Sequence, residues 1–133
     1  LGPNAPKLEN KSFSTQAYIV SVYDGDTFTA AIRYNSEIVR AKCRILGIDT
    51  PEMKPLKNKP NRDEEIKKAK EAKSVVEKMI LHKYIKLNVT GLDKYGRFLV
   101  SVNCPDTNKP ISDILISKNL AYSYDGGTKQ TFV

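Results

Sequence analysis

Apolar and β-forming residues alternate with polar ones in three short runs along the first third of the chain. Residues 13–23 are rich in Tyr, Ile and Val, which predicts a strand that ends at Asp24-Gly25. Two further runs, over residues 27–33 and 37–48, predict a second and a third strand. A turn over residues 34–36 joins these two strands, so the first three strands form a meander.

The middle of the chain changes to helical spacing. Apolar side chains recur three or four positions apart between Ile66 and Ile80, which predicts an amphipathic helix that ends near Leu81. Asn61, followed three residues later by Glu64, predicts the N-terminal cap. Charges of both signs share the polar positions, which favours a solvated face over a basic patch. The residues of this face are Glu64, Glu65, Lys67, Lys68, Lys70, Glu71, Lys73, Glu77 and Lys78.

The last third predicts shorter elements. Residues 84–89 and 98–102 have strand patterns on either side of a turn over residues 91–96. Residues 111–118 follow a proline and predict a short helix, and residues 121–124 predict a short extended segment.

These elements together predict an α+β fold that is mainly β. Five short strands, with a helix between the third and fourth and a short helix after the fifth, suggest a five-stranded Greek-key barrel of the OB type. A chain of 133 residues is long enough for one domain with its own core. We expect residues 1–12 to be an N-terminal tail and residues 13–133 to form the domain.

Charge narrows the choice of partner. The chain has 22 Lys and Arg against 15 Asp and Glu, a net charge of +7, which favours an anionic partner such as nucleic acid or a membrane surface. No apolar run approaches the ~18 residues that a membrane span needs, so we expect no membrane span. The compartment stays open, with a secreted form among the alternatives.

Residue counts exclude several chemistries. His82 is the only histidine, which rules out two-histidine ribonuclease schemes, paired-histidine zinc sites and HExxH metalloproteases. The chain has neither a GxxxxGK[ST] loop nor a GxSxG elbow. Cys43 and Cys104 lie far apart without CxxC spacing, which leaves a single disulfide bond as an open alternative.

Three segments concentrate the remaining chemistry: Asp24-Gly25-Asp26-Thr27, the run from Arg44 to Glu52 (RILGIDTPE), and Asp93-Lys94-Tyr95-Gly96-Arg97. Together, in this order and with the helix between the second and third, they resemble the staphylococcal nuclease (thermonuclease) family. The resemblance covers most of the chain.

The resemblance implies a calcium site. The matching positions of Asp26 and Asp49 supply carboxylate oxygens to one Ca²⁺ in that family, and Thr50 supplies a backbone carbonyl. Hard oxygen ligands suit calcium, and its flexible shell leaves room for water and a phosphate. Asp24 and Thr27 are expected to support these ligands. The alternative is that the aspartates only cap turns.

The resemblance also assigns the chemical step. Glu52 matches the carboxylate beside the attacking water and is expected to act as general base. Arg44 and Arg97 match two arginines that clamp the scissile phosphate, where a planar guanidinium donates two parallel hydrogen bonds. The alternatives are a solvated glutamate and two surface ion pairs.

Substrate-binding residues follow from the same comparison. Lys94 and Tyr95 lie in the third motif, where the family's tyrosine packs near the nucleotide. Tyr122 and Tyr124 fall where the family carries further tyrosines, although core packing is an alternative for both. The lysines of the loop after the second motif are candidates for phosphate contacts: Lys54, Lys57 and Lys59.

We therefore expect a monomeric, Ca²⁺-dependent nuclease. The resemblance implies hydrolysis of DNA and RNA with little sequence preference, single strands being favoured, and products with a 3′-phosphate. One alternative is a nuclease-like domain that binds nucleic acid or a protein without cutting. A plain OB-type oligonucleotide binder is disfavoured, because the acidic residues would repel the strand.

Overall fold

The computed structural model describes residues 12–55 and 57–124. The strands and helices are, in chain order, β1 (Phe13–Val22), β2 (Thr27–Tyr34), β3 (Glu37–Ile45), β4 (Ile48–Asp49), α1 (Arg62–Ile80), β5 (Tyr84–Leu92), β6 (Phe98–Val102), α2 (Ile111–Ser117) and β7 (Tyr122–Ser123).

Five of the strands close into a barrel in the order β1-β2-β3-β6-β5, with β5 returning to pair with β1. All the pairings are antiparallel except that of β3 with β6. The prediction of an α+β, OB-type barrel is confirmed. Both helices also lie where the sequence predicts them.

Alternating side chains of the strands fill the barrel. In β2, the side chains of Phe28, Ala30 and Ile32 are buried, while the residues between them are less so. The largest fully buried side chains also include Ile19 of β1 and Leu87 of β5. One core cluster therefore spans the whole barrel and includes residues of both helices.

The third predicted strand is divided in two. Strand β3 ends at Ile45, because Gly47 has φ +83°, a left-handed conformation that breaks the extended chain. Ile48–Asp49 then form β4, which pairs with β7 in a separate two-stranded sheet, with Asp49 opposite Tyr122. Strand β5 runs on to Leu92, so the turn that follows it is shorter than predicted.

Helix α1 packs its small and apolar stripe against the barrel. Ala69, Ala72, Val76 and Ile80 are buried, as their spacing predicts. Asn61 lies at the N-cap position, but its side chain makes no capping hydrogen bond among the described residues. Glu65 is also buried, so the expectation of a wholly solvated charged face is wrong at this position.

Both cysteines are free and buried in the core. Burial raises the pKa of the Cys43 thiol to about 12, so this thiol stays protonated. Of the helices in the described residues, none is both long and apolar enough to cross a membrane.

Candidate active site

The loop between β1 and β2 carries the first acidic motif. The backbone amide of Asp26 donates to Oδ1 of Asp24 at 3.1 Å, and the Thr27 hydroxyl donates to Oδ1 of Asp26 at 3.0 Å. The amide of Ile45 donates to the carbonyl of Asp26 at 2.8 Å, which ties the loop to the end of β3. The loop therefore holds its two carboxylates by backbone and side-chain bonds.

Gly25 lets this loop lie close to the rest of the site. A Cβ atom at this position would lie 2.9 Å from both Cβ of Ala72 and Cγ2 of Thr50. Such distances are shorter than van der Waals contact, so a side chain here would push the loop away from α1 and from Thr50. The glycine of the DGDT motif is thus required by packing.

Arg44 brings the two acidic segments together. Its Nη1 lies 3.2 Å from Oδ2 of Asp26, and its Nη2 lies 3.6 Å from Oδ1 of Asp49. Nη1 also donates to the carbonyl of Ile45 at 2.7 Å. Asp26 and Asp49 are each only 6% exposed, and a buried carboxylate needs a partner of this kind.

Asp49 has a further partner from the end of the described chain. The hydroxyl of Tyr122 donates to Oδ2 of Asp49 at 3.0 Å, across the β4–β7 pairing. The amide of Tyr124 donates to the carbonyl of Gly47 at 2.9 Å, which fixes the same segment. The C-terminal strand therefore orients the second carboxylate.

Thr50 lies beside the buried carboxylate of Asp26. Its amide donates to Oδ2 of Asp26 at 3.2 Å. Its Oγ1 is buried and has no hydrogen-bond partner among the described residues. Within the described residues, no three His, Cys, Asp or Glu side chains form a metal-binding group. A metal ion here would therefore need backbone carbonyl, water or substrate oxygens besides the two carboxylates.

The surroundings of Asp24 disfavour its ionised form. Burial, then the charge of Asp26 and the hydrogen bond with it, raise the pKa of Asp24 to about 7. Asp24, Asp26 and Asp49 line one cleft, where the single cation paired with Asp26 and Asp49 is Arg44, so the two aspartates together carry one negative charge more than the arginine balances. Such a region attracts a cation, and its oxygen donors suit a hard dication.

Glu52 lies in the loop between β4 and α1. Its side chain lines the same cleft as the aspartates. Its backbone amide donates to Oε2 of Glu65 on α1 at 2.9 Å. The loop is therefore attached to the helix at the residue that carries the candidate base.

Arg97 is held by its own loop. Its Nε donates to Oδ2 of Asp93 at 2.7 Å, and its amide donates to Oδ1 at 2.9 Å. The amide of Tyr95 donates to the same Oδ1 at 2.8 Å. The Arg97 guanidinium also lies 5.7 Å from the centroid of the Tyr95 ring. Among the described residues, its side-chain hydrogen bonds go to Asp93 through Nε alone, which leaves the terminal nitrogens for an anion.

These groups meet at one cleft of about 480 Å³, which we call the acidic cleft. A neighbouring cleft of about 650 Å³, which we call the apolar cleft, includes Leu46 and Ile48 in its lining. Four residues line both clefts: Arg44, Tyr95, Arg97 and Tyr124. The pair of clefts therefore forms a continuous surface with acidic groups on one side and an apolar wall on the other.

Ten of the twelve predicted site residues line the acidic cleft: Asp24, Asp26, Thr27, Arg44, Asp49, Thr50, Glu52, Tyr95, Arg97 and Tyr124. Lys94 lines the apolar cleft instead. Tyr122 is not among the described residues that line either cleft, and its hydroxyl contacts Asp49.

Sequence reasoning gave no functional role to three residues of this region. Tyr23 lines the acidic cleft and is 56% exposed, although its place in a β-rich run indicated only a strand. Asp93 orients Arg97, and its position four residues earlier in the same motif was the available signal. Glu65 carried no sequence signal, because acidic residues recur along that helix.

The structure thus defines a small OB-type barrel with a cleft lined by paired carboxylates and paired arginines. Residues 42–131 match the family model described as staphylococcal nuclease homologue. The match covers more than half of the chain, and the protein belongs to this family, whose members are typically nucleases. No curated protein matches the chain.

Proposed function

We propose that the protein is a Ca²⁺-dependent phosphodiesterase that hydrolyses DNA and RNA. The convergence of four acidic residues and two arginines on the acidic cleft carries this proposal. A binding module needs basic and aromatic groups, but it has no use for a buried acidic pair that repels phosphate. Family membership supports the same reaction class.

Asp26 and Asp49 would hold the calcium ion, together with the backbone carbonyl of Thr50. The donor set fits, since these are hard oxygens gathered at one place and the polar Oγ1 of Thr50 is buried beside them without a partner among the described residues. The ion supplies Lewis-acid polarisation of the phosphate and lowers the pKa of water. Asp24 and Thr27 support Asp26, and Tyr122 supports Asp49.

Glu52 takes the proton of the attacking water as general base. Its place in the acidic cleft with both arginines supports this role, because a general base must lie close to the phosphate that water attacks. Arg44 and Arg97 donate hydrogen bonds to the phosphate oxygens, which strengthen as negative charge develops on them. For Arg44 this means sharing its guanidinium between the phosphate and the two aspartates.

The apolar cleft suits the base of a nucleotide. Tyr95 is 73% exposed and lines both clefts with Tyr124, so a base can stack beside a phosphate held by the arginines. Stacking tolerates any base, which gives little sequence preference and favours single strands with unpaired bases. Lys94, together with the net charge of +7, contributes attraction to the backbone. Family resemblance points to 3′-phosphate products.

A cleavage assay tests this proposal. Single-stranded DNA, duplex DNA and RNA are incubated with the protein in Ca²⁺, in Mg²⁺ and in chelator, and the end groups of the products are determined. We expect cleavage in Ca²⁺, fastest on single strands, less in Mg²⁺ and none in chelator. Retained binding without cleavage under every condition would overturn the proposal and support a binding-only domain.

A further inference from the structure

Glu65 is a buried carboxylate outside the acidic cleft. It lies in the first turn of α1 and is 3% exposed. Each of its oxygens has a different partner. Oε2 accepts a hydrogen bond from the amide of Glu52 at 2.9 Å, and Oε1 forms an ion pair with Nζ of Lys59.

This arrangement joins three parts of the chain at one side chain. Glu52 lies 13 residues before Glu65, and Lys59 lies 6 residues before it. A buried carboxylate is costly without partners, and here the lysine, an amide and the positive end of the helix dipole all offset that cost. The side chain of Lys59 is 33% exposed and that of Glu65 is 4% exposed, so the lysine is the partner nearer to solvent.

The loop between β4 and α1 has little regular structure of its own. The Glu65 side chain anchors this loop to α1, because it accepts a hydrogen bond from the backbone amide of Glu52. Glu52 is exposed and lines the acidic cleft, and the position of its backbone determines which part of the cleft its carboxylate can reach. A shift of about 1 Å at a catalytic group can lower a rate a hundredfold.

We infer that Glu65 is a positioning residue that fixes Glu52 in the cleft, with Lys59 as the cation that pairs with Glu65 and holds it in place. This inference rests on the proposed function, because it gives Glu52 a chemical role. It also reassigns Lys59, which the sequence suggested as a phosphate contact. Lys59 acts here through a carboxylate of the protein.

Two double variants isolate the hydrogen bond from the buried charge. K59M/E65Q removes both charges but keeps a side-chain carbonyl oxygen that can accept from the Glu52 amide. K59M/E65L removes both charges and the acceptor. Neither variant leaves an unpaired buried charge, so both avoid the main cause of unfolding after a single substitution.

We expect K59M/E65L to lower kcat for single-stranded DNA in Ca²⁺ at least about tenfold, with KM little changed. K59M/E65Q should restore kcat to within about threefold of the parent protein. E64L, which removes an exposed carboxylate from the same turn of α1, is the control and should leave kcat unchanged. Equal kcat values for the two double variants would overturn the inference.

Amide hydrogen exchange at Glu52 provides a readout that does not depend on cleavage. The amide should be protected in the parent and in K59M/E65Q, and should exchange at least about tenfold faster in K59M/E65L. If the parent protein cuts no substrate, the proposed function fails, while the exchange result still decides whether Glu65 holds this amide. Rapid exchange at Glu52 in the folded parent would overturn the inference by itself.

Discussion

The guanidinium of Arg44 lies 3.2 Å from the carboxylate of Asp26, and both side chains are largely buried. Arg44 therefore neutralises the same carboxylate that we propose as a calcium ligand. Since a positive charge opposes the approach of a second cation, this ion pair couples metal affinity to the arginine. We also propose Arg44 as a phosphate-binding residue, and calcium affinity and cleavage rate report on the two proposed roles separately.

The first prediction separates these roles with Arg44→Met. Removing the positive charge should raise Ca²⁺ affinity at least about threefold, because the two aspartates lose a competing partner. The same change should lower kcat at least about 10²-fold through lost transition-state stabilisation. Titration calorimetry and single-turnover cleavage measure the two effects. Asp26→Asn is a control with the opposite expected effect and should weaken Ca²⁺ binding. Unchanged Ca²⁺ affinity in Asp26→Asn would show that Asp26 is not a calcium ligand.

Arg97 provides the second prediction. Arg97→Ala should lower kcat at least about 10²-fold, while affinity for an uncut oligonucleotide falls much less. Arg97→Lys should not restore the rate, because an ammonium cannot reproduce the two-pronged contact. Arg33, exposed on β2, is the matched control, and Arg33→Ala should leave kcat within about twofold. If Arg97→Ala cleaved at the parent rate, Arg97 would not stabilise the transition state and would only position the substrate.

The third prediction concerns Gly25. Gly25→Ala should destabilise the fold by about 1–3 kcal/mol, since its Cβ would overlap Ala72 and Thr50. It should also weaken Ca²⁺ binding, because the loop that carries Asp26 must move. Urea denaturation and calorimetry measure these effects. Gly47→Ala is the comparison: it meets open space, so only its left-handed conformation should cost stability, about 1 kcal/mol.

The fourth prediction uses the pH dependence of stability. Partial burial raises the pKa of Asp93, but hydrogen bonds from Arg97 and Tyr95 and the charge of Arg97 outweigh it, so the pKa lies below its ordinary 3.8. A lowered pKa in the folded state contributes stability above pH ~4, and that contribution is lost as pH falls through the folded value. The parent should therefore be more stable than Asp93→Asn at pH 7, with the difference vanishing in strong acid. Urea denaturation across this range measures it, and a difference that stays constant with pH would contradict a role for the Asp93 charge.

The barrel and both helices were predictable because they depend on local patterns. The alternation of apolar and polar residues in β2, and the spacing of apolar residues three or four positions apart in α1, correspond directly to the buried faces of these elements. The family motifs supplied the order of the site residues. The division of the third strand was missed, since Ile45 and Ile48 both look like strand residues and only the left-handed Gly47 separates them.

The sequence by itself determined which chemical groups the protein brings to its site: carboxylates, arginines and tyrosines in three ordered motifs. Tertiary structure alone decided how they are paired. Nothing in the sequence shows that Arg44 lies between Asp26 and Asp49, or that Glu65 is buried beneath Glu52 instead of solvated with its helical neighbours. Such pairings form only when barrel closure and helix packing bring together residues that are distant in the chain. The interactions between these charged groups become strong only when the fold removes them from water.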